Sequence, residues 1–254
     1  MLSKYYESAN SFTYNGKNSL DMGLFITAVS AADNGAEPEI EKISIPARGD
    51  LIEDNKADEL DNPPFKDYPK KYTCCVASDE DINLEDMAHR IYGWLYAPGI
   101  EYSQLYDTYD REYYSIAHIS SKATVSDLAK RLLGEIEIEF TCKAYKRAIK
   151  GERTIALTKP TAIYNTELFT ASPYIKITGN GGITLYINDR AHGFKDVSDY
   201  IEIDSELMNA YKGDTLQNSK MLTAKFPKLT AGVNNISWAG NVSKVEIIPR
   251  WCTL

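Results

Sequence analysis

Three histidines, four cysteines and 36 aspartates and glutamates are the side chains of this 254-residue sequence that could carry acid–base, nucleophilic or metal chemistry. A metal site needs ligands at a set spacing, and acid–base work needs two groups that converge with shifted pKa values. His89, His118 and His192 stand far apart in the chain, with no metalloprotease helix motif or nucleophile elbow around them. Cys74 and Cys75 are adjacent while Cys142 and Cys252 stand alone, so there is no CxxC pair or zinc-ligand spacing, and reduced, mostly buried thiols are expected. Carboxylates are so numerous that chance pairs are unavoidable, and a glycosidase would need two of them about 5 to 9.5 Å apart in a cleft. The sequence therefore points to no catalytic residue, no cofactor-binding residue, no cofactor and no metal ligand.

Two short motifs have ordinary structural explanations. Arg48-Gly49-Asp50 matches a cell-adhesion tripeptide but reads as a turn. Gly179-Asn180-Gly181-Gly182 has the composition of a phosphate cradle, yet alternating β residues follow it instead of a helix whose N-terminus would hold the anion, so a hairpin turn is expected. The 18 tyrosines are more informative, with Tyr92, Tyr96, Tyr102, Tyr106, Tyr109, Tyr113 and Tyr114 crowded into one stretch. Tyrosine combines a large contact area with a polar tip, which suits protein interfaces and, as the alternative, sugar stacking.

The elements that would position these residues are mostly strands. Phe12-Thr13-Tyr14 followed by Asn15-Gly16 predicts a hairpin, because Asn-Gly accepts positive φ at both turn positions. Leu84, Met87, Ala88, Ile91, Trp94 and Leu95 recur at helical spacing, with Asn83 as cap and Pro98-Gly99 as stop. Glu135 to Ala144 alternates without a miss, placing Ile136, Ile138, Phe140 and Cys142 on one face of a strand. Between the strands at Ile43-Ser44-Ile45 and at Tyr72 to Val76 lies a long polar, proline-bearing stretch, which predicts an arm leaving the core over about residues 37 to 71. Beyond residue 150, Tyr174 to Ile177 and Ile183 to Ile187 flank the Gly179 to Gly182 run, and Asn235 to Trp238 and Lys244 to Ile248 flank Gly240-Asn241. Short strands between turn signals predict an all-β sandwich there.

Charge separates the two halves. Residues 1 to 150 hold 17 Lys+Arg against 26 Asp+Glu, a net of −9, and residues 151 to 254 hold 11 against 10, a net of +1. Two domains are expected, 1–150 and 151–254. The acidic balance argues against specific nucleic-acid binding, which needs clustered Lys and Arg to neutralise phosphates. The first thirty residues show no basic start with an apolar run and no window long enough to span a bilayer, so neither a secreted precursor nor a membrane protein is expected.

The residues also carry a family resemblance. Phe12 to Ser19 with Gly23-Leu24, Ile45 to Leu51, the helix through Trp94-Leu95-Tyr96, and Tyr106-Asp107 with Tyr113-Tyr114 together resemble the distal tail (Dit) proteins of long-tailed, non-contractile phages. Pro160 to Asn165, Tyr200 to Glu206, Phe226 to Leu229, Gly232-Val233-Asn234 and Pro249-Arg250-Trp251 extend the resemblance through the second half. Ala47 departs from it, standing where the family pattern has a glycine. The resemblance implies a mainly β fold: an N-terminal β-sandwich with one helix and a projecting hairpin, or belt, then a C-terminal galectin-like β-sandwich. It implies a virion protein of the tail tip or baseplate, made in the host cytoplasm and without enzyme activity. Copies of it would form a ring, commonly a homohexamer, that meets the major tail tube protein, a tail-tip protein and a receptor-binding protein while DNA passes through. The alternative is a carbohydrate-binding protein whose C-terminal sandwich contacts the host cell wall; it would show an aromatic ring beside converging Asn, Arg or Glu on one sheet face.

Overall fold

A computed structural model describes residues 9–29, 35–44, 46, 51–54, 62–77, 84–120, 124–129 and 133–254. The fold is mainly β, with one α-helix among the described residues, and divides into two compact units, Met1–Lys146 with Leu254, and Arg147–Thr253.

In the first unit, β1 (Phe12–Tyr14) and β2 (Lys17–Asn18) are closed by Asn15 and Gly16 at φ 48° and 72°, the hairpin that Asn-Gly predicts. There follow β3 (Leu24–Val29), β4 (Glu41–Ser44), β5 (Leu51–Asp54), β6 (Tyr68–Ala77), α1 (Leu84–Tyr96), β7 (Ser103–Asp107), β8 (Tyr113–Ile119), β9 (Thr124–Ala129) and β10 (Leu133–Cys142). The antiparallel sheet runs β2-β1-β7-β8-β10-β6-β3. One edge of β10 pairs with β6 along its whole length, and the other pairs with β9 near Leu133–Glu137 and with β8 at Phe140–Cys142.

The alternation of β10 is kept in three dimensions. Ile136, Ile138, Phe140 and Cys142 are fully buried, while Glu135, Glu137 and Glu139 point to the other face. The helix buries Leu84, Met87, Ile91, Trp94 and Leu95 against the same core, and it ends where Gly99 N–H bonds back to Tyr96 C=O at 3.0 Å. Trp94 packs parallel to Phe12, ring centres 5.6 Å apart, and its indole N–H donates to Tyr14 C=O at 3.0 Å. The expected cap, Asn83, and the Arg48-Gly49-Asp50 tripeptide lie outside the described residues. Tyr68 to Lys71, assigned to the arm from composition, are instead the first residues of β6; Tyr68 and Lys70 face the core, which their polar neighbours conceal in the sequence.

The second unit begins at Arg147 because the chain there is bound to its own C-terminus: Ala148 N–H donates to Trp251 C=O (2.8 Å) and the Arg147 guanidinium to Arg250 C=O (3.0 Å). β11 (Lys146–Ala148) spans the boundary and is followed by β12 (Ile155–Leu157), β13 (Thr161–Asn165), β14 (Tyr174–Ile187), β15 (Arg190–Val197), β16 (Tyr200–Asp204), β17 (Asn209–Lys212), β18 (Thr215–Leu216), β19 (Gly232–Ile248) and β20 (Cys252–Thr253), which pairs with β11. The sheet order is β12-β19-β14-β16-β17-β18, with β13 also on β19 and β15 also on β14.

Here the structure corrects the sequence reading. Neither glycine run is a hairpin turn; each lies inside one long strand, and β14 and β19 pair with each other past both of them. Asn180 pairs with Asn241 and Ile183 with Gly240, so Gly181 and Gly182 are extra residues that bulge out of the ladder. A Cβ on Gly179 would collide with Asn241 C=O, and one on Gly240, at φ 103°, with Gly182 C=O. Glycine is needed because two backbones cross closely at a bend. On either side of it, Ile175, Ile177, Val245 and Ile247 in one half, and Ile183, Leu185, Ile187 and Ile236 in the other, are all buried.

Candidate functional site: the ribbon root and the tyrosine surfaces

β4 and β5 pair with each other and, among the described residues, with no other strand. Toward the core the two arms of this ribbon stay joined: Glu39 N–H donates to Pro64 C=O and Lys66 N–H to Glu37 C=O, both at 2.9 Å. A segment this polar holds its shape by backbone pairing, since it has few apolar side chains to bury. Tyr145 fixes its root, donating its hydroxyl to Pro63 C=O (2.5 Å) and meeting the Phe65 ring edge-on at 5.9 Å. Asp67, the last residue before β6, accepts from Lys143 Nζ (2.8 Å) and Tyr102 OH (3.0 Å), and the Lys143 ammonium sits 4.3 Å above the Tyr102 ring. The bond to Asp67 pushes the Lys143 pKa up, against the partial burial that lowers it. Tyr102 in turn meets His118 edge-on at 4.8 Å.

Beneath this surface lies a buried ion pair that sequence reasoning missed. Lys70 Nζ donates to Asp107 Oδ2 at 2.5 Å, and Tyr72 OH donates to the same oxygen at 2.6 Å. The other oxygen accepts the N–H groups of Tyr109 and Asp110, each at 2.9 Å. Burial alone would raise the Asp107 pKa; Lys70, Tyr72 and the turn amides outweigh it and hold the carboxyl below its ordinary value. Asp107 thus pins the turn between β7 and β8 from inside while Tyr109 projects outward. The available signal was that Lys70 shares a strand face with Tyr68, Tyr72, Cys74 and Val76, where a lysine needs an acid.

The clustered tyrosines divide between core and surface. Tyr96, Tyr102 and Tyr109 are exposed; Tyr92, Tyr106 and Tyr113 are half-buried; Tyr114 is buried and stacks on Tyr106 at 4.8 Å. Tyr96 ends α1, and Ile100, which is 88% exposed, and Tyr102 follow it on the segment that leads to β7, so three large side chains there face solvent.

In the second unit, one face of the β14–β16 pair is half-buried and polar. Glu202 accepts from Tyr174 OH (2.7 Å), Lys176 Nζ (3.4 Å) and Gly213 N–H (3.0 Å), and Lys176 stands 4.0 Å over the Tyr200 ring. Arg250 makes a two-pronged bond to Asp204 at 2.8 and 3.0 Å, and Arg147 bonds Glu206. Burial works against ionisation at Glu202 and Asp204, but these partners keep both carboxyls below their ordinary pKa.

His89 is exposed on α1, His118 Nδ1–H donates to Ile119 C=O, and His192 is buried with Nδ1 against Lys225 C=O, so each histidine meets a backbone carbonyl or solvent. Cys74, Cys142 and Cys252 are buried free thiols and Cys75 is half-buried; burial pushes Cys74 up to about 12 and Cys142 to about 11. Among the described residues no group of three His, Cys, Asp or Glu could hold a metal, and no helix is long and apolar enough to cross a membrane.

The sequence matches no family model and no curated protein significantly. The fold does resemble solved structures. The Dit protein of phage SPP1, described as a paradigm of the hub adsorption apparatus in phages infecting Gram-positive bacteria, aligns with a TM-score of 0.70 over 97% of this chain and 100% of its own. The fold is that of a Dit protein. Identity in that alignment is 11%, so the likeness to Dit lies in strand order and packing far more than in shared side chains. Chains of the phage p2 baseplate in its activated conformation, with strontium and with calcium, align at TM-scores of 0.50 and 0.51, each at 11% identity and over 94% of this chain, covering 97% and 96% of theirs. The Dit fold accounts for both units, as the resemblance in the sequence implied.

Proposed function

We infer that this protein is a structural hub of a phage or prophage tail, a virion component of the tail tip with no catalytic role. Copies of the chain, six in the common arrangement, form a ring that joins the tail tube to baseplate or tail-fibre proteins and lets DNA pass. The observation that carries this reading is the likeness to SPP1 Dit across both units, since a sandwich domain alone would fit many functions. The charge agrees: a first half at net −9 suits a channel wall that DNA slides past without sticking. The second unit docks another tail protein. Sugar binding is less well supported, because the polar face that sets tyrosines beside Glu and Arg has its ring covered by Lys176 and its Glu202 oxygens already occupied.

In this reading the β4–β5 ribbon is the belt and lies on a neighbouring copy. Replacing residues 41 to 62 by two glycines leaves the paired root at Glu39 and Pro64 closed. The variant is expected to fold and to sediment as a monomer. An intact ring from it would refute this role for the ribbon.

A further inference from the structure

We propose that the open edge of β13 takes up an extended, uncharged strand from another protein chain, adding it to the sheet of the second unit. The proposal rests on the reading of that unit as a docking unit and specifies where and how it docks. β13 pairs with β19 along one edge, and among the described residues no strand pairs with the other. The direction of its backbone groups follows from its neighbour. Asn235, opposite Ala162, is bonded to the far side: its N–H donates to Asn188 Oδ1 (2.8 Å) and its C=O accepts from Asn188 N–H (2.9 Å). Successive residues of an antiparallel strand turn their backbone groups to alternate sides. Ala162 and Tyr164 therefore direct N–H and C=O to the open edge, while Ile163, opposite Asn234, bonds inward.

Proteins usually blunt such an edge with charge or proline. Thr161–Asn165 carry no charge, and Pro160 precedes the strand without occupying either open position. Apolar side chains flank it instead: Tyr164 is 64% exposed, Val233 directly across from it 56%, and Leu168 just beyond the strand 87%. An uncharged edge offers a charged strand no counter-ion, whereas a strand with apolar residues at alternate positions gains both the ladder and contact with Tyr164.

The test uses the full chain and, as probe, a fluorescent heptapeptide of alternating Thr and Val on a Gly-Ser linker. Saturable binding is expected, with slowed hydrogen exchange at the Ala162 and Tyr164 amides. Ala162→Pro removes only an outward N–H and should weaken binding by about tenfold or more. The same peptide N-methylated at alternate residues should fail to bind the unaltered chain, a readout independent of how the variant folds. No saturable binding at millimolar peptide, or binding that leaves both amides exchanging freely, overturns the proposal. So does a loss of self-association in Ala162→Pro without any effect on the peptide, which would make the occupant a second copy. Sedimentation of the unaltered chain reports the ring separately, so the hub reading and the edge proposal fail independently.

Discussion

Trp94→Ala should cost about 3 to 5 kcal/mol of stability, read as a fall in the denaturant midpoint of the first unit at unchanged slope. Trp94 is 5% exposed, stacks on Phe12 and donates its indole N–H to the Tyr14 carbonyl. Alanine removes the ring, leaves a cavity where α1 meets the sheet, and takes the indole donor from that carbonyl. Trp94→Phe keeps most of the volume and loses the hydrogen bond, so it should lose distinctly less. Equal stability of Trp94→Ala and the parent would mean that α1 does not close this core.

Asp107→Asn should be comparably damaging, by about 3 to 5 kcal/mol, because it leaves the Lys70 ammonium buried without its counter-charge. The double variant Lys70→Met with Asp107→Asn should recover most of that loss, since the amide oxygen can still accept from the Tyr109 and Asp110 N–H groups. Acid acts in the same direction. The folded-state pKa of Asp107 lies below its ordinary value, so its contribution is complete above about pH 4 and is lost as pH falls through the folded pKa. Glu202 and Asp204 are depressed likewise and give the second unit the same sign of dependence. Unfolding midpoints measured from pH 7 down to pH 3 should fall for the parent, and less steeply for the first unit of the double variant. A midpoint independent of pH would contradict the assignment.

The elements legible in the sequence were those in which one period persists. β10 alternates from Glu135 to its end and α1 repeats at 3.6 over three turns, so burial on one face was already written there. Glycine runs were misread because local sequence does not separate a turn from a bulge. What decides is the partner strand, and β14 and β19 bring their two glycine-bearing segments side by side from residues far apart in the chain. The buried Lys70–Asp107 pair was hidden for the same reason, its members being 37 residues apart. The tyrosine count was plain in the sequence, but composition could not say that Tyr14, Tyr68, Tyr72 and Tyr114 belong to the interior while Tyr96, Tyr102 and Tyr109 face outward.

The family resemblance and the fold agree although the sequence identity to SPP1 Dit is 11%. Such agreement is expected when packing constrains only the character of a side chain at each core position, leaving its identity free.

The central claim is that copies of this chain build a ring, and its mass in solution tests that most directly. Native mass spectrometry of the purified full chain, with class averages from electron microscopy of the same sample, should show six chains of 28.5 kDa, about 171 kDa, in a closed ring with a central hole. A monomer that persists at every concentration, or a closed dimer with no channel, would contradict the hub.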